Sequence, residues 1–216
     1  MKMLVRQPKG EGSVRVVEQR YDGSRLYYEG GALYTHVDSG GNNLLEYISA
    51  MERALDGAQT VLLLGTAGGA LATLLSRRGV SVTAVDNWPM AFDIARQWFH
   101  LPPNVECIPA DALDFLRSNT RQWDAVAVDV FHGVEIPESI LTSDIGALLA
   151  RAAKPAGLIV WNVADTPRSW PAQWIVKALR LMALVPRLVS VMDADVGNTL
   201  VVCRNSPRRG SLPDAA

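Results

Sequence analysis

The feature that most constrains this chain is an alternation that begins at Thr60. The uninterrupted apolar runs TVLLLG, VSVTAVD, NVECIPA, WDAVAVDVF and GLIVWNVA are each followed by a stretch with apolar residues at helical spacing. A strand that is apolar throughout needs cover on both faces, which is the situation of a parallel sheet between helical layers. The intervening helices read GGALATLLSRR, PMAFDIARQWF, DALDFLRS, TSDIGALLARAA and QWIVKALRLMA. Pro89 opens the second, Asp111 is the N-cap of the third, Pro155 follows the fourth and Pro171 precedes the fifth. Right-handed crossovers lay the first five strands parallel. Two further strands, RLVSVMDAD and NTLVVCR, are separated by Val196-Gly197. A turn that tight joins only antiparallel neighbours, so the last strand runs against the rest. The expected fold is α/β, a mostly parallel seven-stranded sheet with an antiparallel last strand.

The segment ahead of this alternation has another character. VRVVEQR, RLYYE and ALYTHVD are short, rich in Val, Leu and Tyr, and separated by Asp22-Gly23 and Gly30-Gly31. They predict a small antiparallel N-terminal β-sheet, with residues 1–12 loose before it. Asn42-Asn43 then cap a helix through Leu44, Leu45, Ile48, Met51 and Leu55 that Gly57 ends. The organisation read here is an N-terminal hairpin region over 1–38, the α/β domain over 39–204 and a disordered tail over 205–216.

A chain of 216 residues has 21 Lys plus Arg against 22 Asp plus Glu, a formal net charge of −1. That balance excludes a protein built for electrostatic capture of nucleic acid. No apolar run approaches the roughly 18 residues of a membrane span. The start MKMLVRQPKGEG lacks the apolar core of a signal peptide, so the expected compartment is the cytoplasm. Cys107 and Cys203 read as small hydrophobes in strands, and His36, His100 and His132 are too scattered to suggest a metal site.

Ligands on such sheets bind beyond the carboxyl ends of the strands. After the first strand stand Gly65, Thr66, Ala67 and Gly68, a turn of small residues that lets a ligand approach a helix N-terminus. Its spacing matches neither the dinucleotide fingerprint nor a P-loop, which disfavours an NAD-dependent oxidoreductase. After the second strand, Asp86-Asn87 puts a carboxylate about 20 residues beyond the first glycine, placed to accept from ribose hydroxyls. After the third, Asp111-Ala112 offers an acceptor and a backbone donor to an adenine edge, and Asp111 serves equally as an N-cap. After the fourth, Asp129 is the first choice for a catalytic residue or for one binding a substrate amine, with His132 three residues on. Asp124 lies at the opposite end of that strand, away from the chemistry.

The series VLLLGTAGGALA, VTAVDNWP, CIPADALDFL, WDAVAVDVFHGVEIPESILT, LIVWNVAD and GNTLVVC resembles the spermidine synthase (polyamine aminopropyltransferase) family, especially its short bacterial spermidine-synthase-like members. RLYYEGGALYTHVD and the following helix with Glu46 are similar to that family's hairpin and first helix. The resemblance covers roughly Leu26 to Arg204. It implies a Rossmann-like class I methyltransferase fold behind a small N-terminal β-sheet. It implies a cofactor that is S-adenosylmethionine or decarboxylated S-adenosylmethionine, a small-molecule amine acceptor, and a place in polyamine biosynthesis. Asp86 would hold the ribose, Asp111 and Ala112 the adenine, and Asp129 the attacking amine. Tyr34, Glu46 and His132 fall at substrate-binding positions.

Five positions depart from the family pattern. The acid usual in the Gly-rich turn is Gly68, and the second Asp usual after the catalytic one is His132. The usual hairpin Gln is Tyr34, and the usual Tyr-His-Glu reads Leu44-Leu45-Glu46. Methyl transfer to a small molecule, or a non-catalytic adenosyl-binding relative, therefore stands beside aminopropyl transfer. No nucleic-acid or membrane partner is expected, and the N-terminal sheet, with edges to cover, suggests a homodimer.

Overall fold

The computed structural model describes residues 1–10, 12–192 and 197–206. Strands β1 (Lys2–Lys9), β2 (Gly12–Glu18), β3 (Arg25–Glu29) and β4 (Ala32–Val37) form an antiparallel sheet in that order. The expectation that residues 1–12 are loose is overturned, because β1 pairs with β2 from Lys2↔Glu18 to Lys9↔Gly12. Only Leu4 and Val5 of β1 pack against the core. An outer strand needs little apolar character and tolerates Pro8, so its sequence lacks the alternation of an inner strand.

Helix α1 (Glu46–Ala54) follows. It is not capped by Asn42-Asn43. Asn42 turns back to Asp38, and Asn43 accepts from the Leu45 amide and donates to the Leu45 carbonyl, so the helix starts later with Leu45 as its N-cap residue.

The alternation then builds β5 (Thr60–Leu64), α2 (Ala70–Arg77), β6 (Ser81–Asp86), α3 (Met90–Trp98), β7 (Glu106–Pro109), α4 (Ala112–Ser118) and β8 (Trp123–Val128). A 3₁₀ turn (Glu138–Ile140) precedes α5 (Ile145–Ala152), β9 (Ala153–Val163), α6 (Trp170–Leu181), β10 (Arg187–Met192) and β11 (Gly197–Arg204). The seven-stranded sheet has the order β10-β11-β9-β8-β5-β6-β7. Strands β5 to β9 are parallel, and β11 is antiparallel to both β9 and β10. Val196 of the expected turn and the end of RLVSVMDAD fall on 193–196, outside the described residues, while Gly197 opens β11.

Why the strand sequences are apolar throughout is visible in β5. Val61 and Leu63 enter a core with α1, α2, α3 and the N-terminal sheet, while Leu62 and Leu64 enter a second core with α4, α5 and α6. At the amino end of the sheet, Asp124 accepts from the Gln59 and Thr60 amides and from Lys154. The Lys154 ammonium comes first among the causes that hold its carboxyl down at about 2. Asp124 ties strands together on the side away from the cavity described below.

Asn205, the first residue of the expected tail, is bonded to the sheet. The Asn205 amide donates to the Gly157 carbonyl and its side chain to the Ala150 and Ala153 carbonyls. Residues 207–216 lie outside the described residues. Among the described residues no helix is long and apolar enough to cross a membrane.

Candidate functional site

At the carboxyl edge of β5, β6 and β8 the chain encloses a cavity of about 260 Å³. The two central strand ends approach closely because residue 65 is glycine. Gly65 has φ +86°, and a Cβ there would collide with the Asp129 carbonyl oxygen. The Gly65 amide donates to the Val85 carbonyl and the Asp129 amide to the Leu64 carbonyl, both at 2.8 Å, so β6, β5 and β8 end in step.

Asp86 faces the turn that follows β5. Its Oδ2 accepts from the Thr66 amide at 2.9 Å and the Ala67 amide at 3.3 Å, and its Oδ1 accepts from the Trp88 amide at 2.9 Å. Asn87 also lines the cavity. Asp111 is the N-cap of α4: its Oδ1 accepts from Leu113 and Asp114 amides at 2.8 and 3.1 Å. That leaves its Oδ2 without a hydrogen-bond partner among the described residues. Ala112 lies beside it on the cavity wall.

Asp129 stands where β8 ends. Part of it opens to the cavity, yet the carboxyl is largely desolvated, which pushes its pKa up to about 6, and the hydrogen bond from Asn162 only partly opposes the shift. Asn162 Nδ2 donates to Asp129 Oδ1 at 2.8 Å. Tyr34 closes the cavity from β4, its hydroxyl donating to the Gly133 carbonyl at 2.8 Å. Burial, reinforced by the carboxylates of Glu29 and Asp129, raises its phenol above the ordinary value. His132 lines the same wall in the loop after β8.

The structure thus brings Tyr34, Gly65, Thr66, Ala67, Asp86, Asn87, Asp111, Ala112, Asp129 and His132 to one cavity. Two sequence candidates are placed elsewhere. Glu46 is in the first turn of α1, paired with Arg53 and beside β10. Gly68 is buried under β4: its amide donates to Thr35 Oγ1 at 3.2 Å, and a Cβ on it would stand 2.8–2.9 Å from the Thr35 side chain. Lys9, which lines the cavity, and Asn162, which stands behind Asp129, escaped the sequence reading. Lys9 on β1 pairs with the buried Glu29 on β3 at 2.7 Å and lies 5.5 Å from the centre of the Trp88 ring. Asn162 is the one amide in an otherwise apolar run.

One orphan polar group marks the Gly-rich turn. Thr66 Oγ1 is buried with no hydrogen-bond partner among the described residues. Together with the open oxygen of Asp111, it fits a polar ligand that lies along this edge.

A family model described as a methyltransferase domain matches residues 62–161. The chain is 30% identical over 182 residues to a polyamine aminopropyltransferase of Chromobacterium violaceum, covering 76% of this chain and 65% of that protein. It therefore spans somewhat less than two thirds of that relative's length. Among solved structures, a probable spermidine synthase from Corynebacterium glutamicum superposes with a TM-score of 0.77 at 19% identity, over 95% of this chain and 81% of that one. An N-methyltransferase from Bradyrhizobium japonicum superposes with a TM-score of 0.60 at 22% identity, over 74% of this chain and 95% of that one. The chain has a spermidine-synthase-like class I methyltransferase fold.

Proposed function

We propose that the chain is a transferase that uses an S-adenosyl cofactor and moves an alkyl group, in the first reading aminopropyl, to a small amine. One observation carries this: Asp86, Asp111 and Asp129, from three successive loops, converge with the Gly-rich turn on one cavity. In this reading Asp86 accepts from the ribose hydroxyls and Asp111 from the adenine amino group, with the Ala112 amide as the neighbouring donor. The cofactor's sulfonium supplies an activated carbon, which leaves the protein chiefly a task of positioning. Similarity to aminopropyltransferases and to methyltransferases supports the class of reaction, and a neighbour solved with S-adenosylhomocysteine supports the class of cofactor.

Asp129 acts on the acceptor. An amine is nucleophilic only when deprotonated, so the carboxylate holds the ammonium and takes one of its protons, which leaves the nitrogen lone pair free to attack. A carboxyl that titrates near 6 is a stronger base than an ordinary one and is still ionised at neutral pH. Tyr34, bonded to the Gly133 carbonyl, and the loop over 129–140 form this side of the cavity.

A second reading, methyl transfer, is favoured by Thr35. Its side chain fills the space beside Gly68, so the turn offers no acid to the amine of a decarboxylated cofactor. Calorimetry with S-adenosylmethionine, its decarboxylated form and methylthioadenosine separates the readings. Preference for the decarboxylated form supports aminopropyl transfer, and preference for the parent supports methylation. Binding with no turnover on any amine leaves a non-catalytic relative, and absence of binding by all three overturns the proposal.

Cytoplasmic polyamine biosynthesis is the setting this proposal suggests. We extend the proposal to a homodimer paired through the N-terminal sheet, in which β1 is one of the two edge strands. A monomer at all concentrations in sedimentation would remove that extension.

A further inference from the structure

Asp129 is held by a buried chain of two amides. Asn162 Nδ2 donates to Asp129 Oδ1 at 2.8 Å, and Asn198 Nδ2 donates to Asn162 Oδ1 at 3.0 Å. Both asparagines are buried, Asn162 with only 1% of its surface exposed. The sheet register explains the alignment. Val128 pairs with Trp161, so Asp129 falls level with Asn162; Leu200 pairs with Asn162, so Asn198 is its diagonal neighbour on the same face. Buried amides between apolar strands are costly unless satisfied, and these two are satisfied mainly by each other and by Asp129.

An asparagine amide offers a donor at one end and an acceptor at the other. With its oxygen occupied by Asn198, Asn162 can turn only its NH₂ toward Asp129. A donor there bonds more strongly to the ionised carboxylate than to the protonated acid and so favours the charged form. Lys9, Glu29, Tyr34, Asp86, Asp111 and His132 line the same cavity, and none of them is hydrogen-bonded to Asp129.

We propose that Asn162 and Asn198 are positioning residues: Asn198 fixes the orientation of the Asn162 amide, and Asn162 thereby holds Asp129 in its charged form with its second oxygen left for the acceptor. This rests on the reading of Asp129 as the acceptor's base. The relay itself is a property of the free protein and is testable without cofactor or acceptor.

The test is a ¹³C NMR titration of the Asp129 carboxyl in the full chain and in Asn162→Leu, Asn198→Leu and Asn198→Ser. Wild type should titrate near 6. Asn162→Leu should move the midpoint up by roughly one pH unit, because the donor to the charged form is lost. Asn198→Leu should move it in the same direction by less, since the Asn162 amide is then free to turn its oxygen to a protonated Asp129. Asn198→Ser, which keeps a donor, should restore it toward wild type. A midpoint unmoved in folded Asn162→Leu, or unmoved in Asn198→Leu if the first variant fails to fold, overturns the relay. Movement of the midpoint in a protein that never binds an adenosyl ligand would keep the relay and discard the functional reading.

Discussion

Asp86 Oδ2 accepts from the Thr66 amide at 2.9 Å, so the carboxylate that ends one strand is fastened to the turn that ends its neighbour. This bond, with those from Ala67 and Trp88, fixes Asp86 before any ligand arrives. The same carboxylate therefore sets the shape of the cavity edge, besides the ribose contact proposed for it.

Asp86→Ala should accordingly do two things. Loss of charge-assisted bonds to a ribose should weaken adenosyl ligands by about 2–4 kcal/mol, roughly 30- to 1,000-fold. Three backbone amides also lose their acceptor, so stability should fall by about 1–3 kcal/mol. Calorimetry and thermal melting of the same preparation read both effects.

Asp129→Asn should cut turnover by roughly 100-fold or more while leaving adenosyl affinity within about tenfold. Stability should move the other way. A carboxyl whose folded pKa is raised costs stability as pH climbs from the unfolded value toward the folded one, and the full cost is present above about 6. Removing that charge should stabilise the fold at neutral pH by up to about 3 kcal/mol. A variant that is more stable and nearly inactive is the expected result in melts and rate assays.

The rate should depend on pH through the same group. Below about 6 Asp129 is protonated and cannot take the acceptor's proton, so kcat should rise through that midpoint. A profile of kcat with cofactor saturating should lose this limb in Asp129→Asn.

Gly65→Ala should destabilise by about 2–4 kcal/mol, because the new Cβ meets the Asp129 carbonyl and φ is +86°. Denaturant titration measures the loss, and the displaced β8 end should weaken turnover beyond what stability explains.

Lys9→Met leaves the buried Glu29 without its cation. The cost should be about 1–3 kcal/mol, below that of a fully enclosed pair because Lys9 is partly exposed. Thermal melting should show the loss, and Lys9→Met combined with Glu29→Gln should recover part of it.

The alternation of strands and helices was legible because β5 and its neighbours are covered on both faces, which forces apolar residues at every position. The convergence of Asp86, Asp111 and Asp129 on one cavity was legible because the carboxyl ends of such a sheet's strands meet at one edge. The pair Lys9 and Glu29 was not, since an outer strand with two apolar contacts carries no periodic signal. Glu46 pointed the wrong way: the helix begins at Glu46 itself, three residues beyond the expected Asn43 cap, which sets it against Arg53 beside β10. Asn162 left one signal, an amide inside an apolar run, whose partner 36 residues later only the sheet register reveals.

The most direct test of the central claim, that the cavity at the carboxyl edge is an adenosyl site, is an amide ¹H–¹⁵N NMR titration of the full chain with methylthioadenosine. The predicted result is saturable movement of the Thr66, Ala67, Asn87 and Ala112 amides, with Val189 and Val191 of β10 unmoved. Unmoved cavity amides at millimolar ligand, or shifts confined to the α1–β10 face, would contradict it.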